Sequence, residues 1–128
     1  MKGIDTNVLV RVLVKDDKIQ SKKAYNYIKK HNPVFVSLPV LCETCWVLKS
    51  CYEVQKNEII KILEQVLQTE QINVENAEVA WQAINTFKHG KGDYADYLIA
   101  HIAKHYDCDA LASFDKVSAK SNLFEFIS

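Results

Sequence analysis

Hydrophobic positions fall into short β-branched runs separated by longer stretches with helical spacing, an alternation that predicts an α/β fold with a largely parallel sheet. Residues 2–4 form the first expected strand. Residues 7–14 carry two signals at once: the Val/Leu content suggests a strand, while Asp5-Thr6-Asn7 is helix-start chemistry. A helix over 20–30 is stopped by His31-Asn32-Pro33, and a buried strand follows at 34–37. Pro39 suits the start of a helix over 40–52. Residues 57–67 and 76–87 read as helices, each opened by an Asn cap, with a short strand at 72–74 between them. Gly90-Lys91-Gly92 is a turn before a helix over 93–106. A last strand at 110–113 leaves a short tail carrying Leu123, Phe124, Phe126 and Ile127. No repeat, linker or low-complexity tract interrupts this order.

At 128 residues with 48 % hydrophobic positions, the chain is expected to be a single domain over residues 1–128 with one core. Its 3 glycines and 2 prolines exclude collagen-like or linker-like character. Lys and Arg number 16 and Asp and Glu 16, so bulk positive charge does not hold this chain to nucleic acid. A local basic rim around an acidic site stays open. No apolar run approaches the roughly 20 residues of a membrane span. Met1-Lys2-Gly3-Ile4-Asp5 puts a carboxylate where a signal peptide needs an apolar segment. Four cysteines (Cys42, Cys45, Cys51, Cys108) in a chain able to build its own core suggest reduced thiols and a cytoplasmic setting. Cys42-x-x-Cys45 has metal-ligand spacing, but no second pair completes a zinc site, and both cysteines lie in an apolar stretch as small hydrophobes.

The informative residues are carboxylates where the pattern wants apolar side chains or strand ends. Glu43 has Pro39, Val40, Trp46 and Val47 as its helical neighbours, a surface in which a bare carboxylate is costly to desolvate. Its plain alternative is a Glu at the core rim paired with a lysine. Asp5 and Asp115 lie just past the first and last strands, where open parallel sheets gather their ligands. Taken singly, each reads better as a helix cap. Asp93 and Asp96 have capping-box spacing at the start of an apolar helix, although Asp96, among Ala95, Tyr97, Ile99 and Ala100, is expected to point inward. Carboxylates that converge repel one another unless a cation sits among them. An all-oxygen set without His or Cys suits Mg²⁺ or Mn²⁺, ions that serve phosphodiester hydrolysis.

These residues resemble a PIN-domain ribonuclease, and in particular the VapC-type toxins of toxin–antitoxin pairs. The resemblance runs along nearly the whole chain. It rests on Gly3-Ile4-Asp5-Thr6-Asn7-Val8-Leu9, on Pro33-Val34-Phe35-Val36-Ser37 leading to Leu41-Cys42-Glu43, on Gly92-Asp93-Tyr94-Ala95-Asp96-Tyr97-Leu98-Ile99-Ala100 and on Ser113-Phe114-Asp115-Lys116. It implies an α/β/α sandwich and a Mg²⁺- or Mn²⁺-dependent endoribonuclease that leaves 5′-phosphate and 3′-hydroxyl ends. By the same resemblance Asp5, Glu43, Asp96 and Asp115 hold the metal, Asp93 stands beside them, and the Thr6 and Ser113 hydroxyls support the cluster. Many relatives carry Thr where Ser113 stands. A homodimer and a small antitoxin partner are also implied.

RNA must still approach a negative cluster. Arg11, the only arginine, lies soon after Asp5, Lys116 adjoins Asp115, and Lys88, His89 and Lys91 precede Asp93. They form a rim for phosphates or are simply solvated. Apolar surplus in Val8-Leu9-Val10, Trp46 or the helix of Trp81 fits either core or interface. A phosphoacceptor receiver module lacks its adjacent acidic pair here, since Asp5-Thr6-Asn7 supplies one acid and Glu43 falls on a helix. Two further alternatives are a non-catalytic PIN-like module, which would lack one or more acids, and a housekeeping PIN nuclease in RNA processing.

Overall fold

A computed structural model describes residues 1–116 and 121–128, which divide into two compact units, Met1–Ala77 and Glu78–Ser128. In the first unit Asp5 takes the cap position of helix α1 (Thr6–Leu13), its side chain accepting from the Val8 N–H. That cap decides the conflict over residues 7–14. The Val-rich run becomes a helix that buries Leu9 and Val10, so these are core rather than interface. Helix α2 (Lys18–His31), capped by Asp17, packs against it and ends before Asn32-Pro33.

Strand β1 (Val34–Val36) is the middle of the parallel pairing in this unit. Its Phe35 bridges Gly3 on one side, with Ile4 N–H donating to the Phe35 carbonyl at 3.0 Å. The expected first strand is therefore a single bridge. On the other side β1 pairs with β2 (Ile72–Val74) in the register Val34↔Ile72, Phe35↔Asn73 and Val36↔Val74. Between them lie α3 (Leu38–Tyr52), capped by Ser37 with Pro39 in its first turn, and α4 (Lys56–Gln68). Gln55, not Asn57, holds the cap position of α4, so the expected Asn cap there is corrected. Leu9, Val34, Val36 and Leu41 are fully buried, each worth about 1.5–3 kcal/mol against an exposed side chain.

In the second unit α5 (Ala77–His89) buries Val79, Ala80, Ala83, Ile84 and Phe87. Helix α6 (Tyr94–His105) buries Tyr94, Tyr97, Leu98, Ala100 and His101. The Tyr94 hydroxyl donates to the Ala80 carbonyl at 3.0 Å and ties the two helices. Strand β3 (Leu111–Ser113) runs parallel to β4 (Phe124–Phe126), so the expected tail ends in a strand. Phe124 is the buried member of that strand and meets Tyr97 edge to face, ring centroids 6.2 Å apart. Among the described residues no helix is long and apolar enough to cross a membrane.

His101 is a buried polar side chain with one ring nitrogen left over. The Thr86 hydroxyl lies 3.2 Å from the Gln82 carbonyl and 2.7 Å from His101 Nε2. His101 Nδ1 is buried and without a partner among the described residues. Burial, aided by Lys104, pushes the imidazole below its usual range. The unfolded chain thus binds the proton more readily, and stability falls as pH drops through the ordinary His range near 6.5. The midpoint of thermal unfolding is expected to fall between pH 7.5 and 5.5, and His101→Gln to remove part of that fall. Identical pH slopes for the two proteins would contradict the assignment.

Candidate active-site carboxylates

The first unit holds Asp5, Thr6 and Glu43. Parallel pairing brings the chain out of its strands at Asp5, Ser37 and Glu75, which sit at carboxyl ends where such sheets place ligands. Asp5 Oδ1 accepts from Val8 N–H at 3.1 Å, so it is a helix cap with an exposed carboxylate. Glu43 is exposed rather than set into the core surface, which corrects the expectation from its neighbours. Helix α3 buries Leu41, Thr44, Cys45 and Leu48, and Trp46, one turn beyond Glu43, is 65 % exposed. The Thr6 hydroxyl donates to Glu43 Oε1 at 2.8 Å, joining the first turn of α1 to α3. Glu75, which the sequence reading did not single out, accepts from Leu38 N–H at 2.9 Å and so serves the start of α3.

The second unit holds Asp93, Asp96, Ser113 and Asp115. Asp93 takes the cap position of α6, and Asp96 Oδ2 reaches back to accept from Asp93 N–H at 3.0 Å. Asp96 is therefore half-buried at the helix start instead of pointing inward with its apolar neighbours. Ser113 Oγ accepts from Asp115 N–H at 3.0 Å and fixes the turn leaving β3, with Asp115 exposed at its tip. Phe114 beside it is 76 % exposed. Asp5, Asp93 and Asp96 all lie at helix N-termini, whose positive ends favour carboxylates.

Asp5, Glu43 and Asp96 share one property. Each has a single oxygen fixed by a hydrogen bond, and the second oxygen accepts none among the described residues. None of the three is paired with a lysine or arginine there. Within either unit the described residues contain no group of three or more His, Cys, Asp or Glu side chains gathered to hold a metal ion. The donor chemistry itself, open carboxylate oxygens with no protein cation opposite, fits a hard divalent ion.

Arg11 is held by its own unit: Nε donates to Gln20 Oε1 at 2.7 Å, and Nη1 meets Asp16 Oδ1 at 3.1 Å and the Tyr52 hydroxyl at 3.3 Å. Burial works to raise the Asp16 carboxyl, but the Tyr52 hydroxyl, backbone N–H groups and Arg11 outweigh it and hold it below its usual range. Lys116 is exposed next to Asp115. None of the four cysteines forms a disulfide; Cys45 is buried in the core, and burial pushes the Cys42 thiol up.

The chain belongs to the PIN domain family, whose model matches residues 3–120. It is also similar to the VapC ribonuclease of Aquifex aeolicus (strain VF5), with 26 % identity over 119 residues, covering 91 % of this chain and 88 % of that one. No solved structure matches the chain significantly. The expected α/β fold with parallel strands holds in both units.

Proposed function

We propose that this protein is a Mg²⁺- or Mn²⁺-dependent endoribonuclease, the toxin of a type II toxin–antitoxin pair. One observation carries the reading: in a PIN-domain chain, Asp5, Glu43 and Asp96 are each oriented through one oxygen and open at the other, with no lysine or arginine paired to them among the described residues. Asp5, Glu43, Asp96 and Asp115 would hold the ion, with Asp93 beside them. The bound ion supplies Lewis acidity to a phosphoryl oxygen and lowers the pKa of water.

The chain's own groups do the positioning. Thr6 keeps the Glu43 carboxylate in one orientation, and the Asp93 backbone does the same for Asp96. Ser113 sets the turn that carries Asp115. Side chains fixed in this way lose little further rotamer freedom when they bind an ion or substrate. One carboxylate also orients the attacking water and takes its proton. The similarity to a VapC ribonuclease supports an RNA substrate, and a small antitoxin partner, a homodimer and a cytoplasmic setting complete the proposal.

Cleavage of single-stranded RNA is expected with Mg²⁺ or Mn²⁺ and none in chelator. Glu43→Ala is expected to abolish cleavage while leaving the fold intact, because Glu43 is exposed and makes one hydrogen bond. Cleavage that persists in chelator, or in Glu43→Ala, would sink the proposal. A gene for a small partner directly upstream distinguishes the toxin from a housekeeping nuclease.

A further inference from the structure

The first unit contains a second concave feature, a pocket of about 450 Å³ built by α1, the turn after it and the first half of α2. That volume is within the range of small-molecule sites. Lys18, Ser21, Lys22 and Tyr25 follow one another at helical spacing and so line it from one face of α2. Lys15 closes the rim, and none of these three lysines forms an ion pair among the described residues. Ser21 is only 9 % exposed, and its hydroxyl is buried with no hydrogen-bond partner among the described residues. A hydroxyl left so is costly unless something else satisfies it. Val12 and the ring of Tyr25, 52 % exposed, give the pocket an apolar wall. Arg11 stiffens the far edge through Asp16 and Tyr52.

We infer that this pocket binds one nucleotide unit, with phosphate on Lys18 and Lys22 and the base against Tyr25. Lysines offer donors only, so the ligand must supply acceptors and negative charge. The aromatic wall selects a flat ring over a bare anion. Arg11 lies six residues after Asp5 on the same helix, about 9 Å along its axis, which a strand of a few nucleotides spans. The assignment rests on the RNA reading above and makes the pocket a site that grips substrate away from the carboxylates.

The test measures binding of a fluorescein-labelled single-stranded RNA dodecamer to the full chain in EDTA, where cleavage does not interfere, with adenosine 5′-monophosphate and inorganic phosphate as competitors. Lys18→Gln combined with Lys22→Gln is expected to weaken RNA binding about tenfold. It should also flatten the dependence of log K on log salt by about 1.4, since each single-strand phosphate contact contributes about 0.7. Tyr25→Ala should weaken binding by a similar factor without lowering the unfolding temperature of the free protein. The exposed Lys61→Gln is the control and leaves binding unchanged. Loss of RNA affinity in the double variant places a nucleotide of the polymer in the pocket. Loss of adenosine monophosphate affinity alone places a free nucleotide there. Unchanged affinity for both overturns the inference, as does an oligoglutamate peptide that binds through the lysines while RNA and nucleotide do not. Lysine-dependent RNA binding by a wild-type chain that cleaves nothing with Mg²⁺ or Mn²⁺ would sink the nuclease reading and leave the pocket standing.

Discussion

Asp5→Asn folds as well as the wild-type chain and cleaves RNA at least ~100-fold more slowly, a loss of the size seen when groups around a metal are altered. The choice of Asn follows from the two tasks of this side chain. As the cap of α1, Asp5 offers Oδ1 to the Val8 N–H, and Asn presents the same oxygen with almost equal preference at that position. As a proposed ligand it needs the charge and the second oxygen, and Asn has neither. Asp5→Ala loses both and costs about 1 kcal/mol in capping, a fall of roughly 3–5 °C in the unfolding midpoint. Thermal unfolding by circular dichroism and a cleavage assay on the two variants separate the tasks. Wild-type turnover by Asp5→Asn would leave Asp5 as a cap and nothing more.

Gly90→Ala is expected to produce the largest loss of stability from a single methyl group. No glycine among the described residues has positive φ, so Gly90 is not required for its backbone freedom. It is required for space: a Cβ there would run into the hydroxyl and ring of Tyr97, which is 1 % exposed. Tyr97 cannot retreat freely, because its hydroxyl accepts from Gly92 N–H at 2.8 Å. Overpacking of this kind costs about 2–3 kcal/mol, or roughly 6–12 °C in the unfolding midpoint. Activity falls as well, because the turn leads directly into Asp93 and Asp96. Tyr97→Phe removes the clashing oxygen, so the double variant should lose less than the sum of the single ones. Strict additivity would show that the methyl group finds room elsewhere.

Much of the fold is legible in the hydrophobic pattern, because helices with a buried stripe and strands bounded by turn residues announce themselves locally. Helix α4, with Ile59, Ile60, Leu63 and Val66 on one side, is such a case. Residues 7–14 were ambiguous because α1 is short and rich in Val, and a single capping bond settles what periodicity does not. β4 was missed because Phe-Glu-Phe is too brief to show alternation, and its partner β3 lies beyond a connection. The acidic residues stood out by type and place. Their surroundings did not: α3 is apolar nearly all round, so its exposed face at Glu43 and Trp46 could not be told from its buried one. The three pocket lysines, Lys15 before α2 and Lys18 and Lys22 on it, are invisible as a site until Ser21 is seen buried beneath them without a partner.

The pairing of β1 has a consequence for synthesis. One edge of this strand meets residue 3, made before it, while the other waits for residues 72–74. Contacts of such sequence separation form late, after the loop-closure entropy of the intervening helices has been met. During synthesis β1 therefore remains half-supported until residues 72–74 have emerged, so maturation of this unit is coupled to that point of translation rather than to the arrival of Asp5 and Glu43.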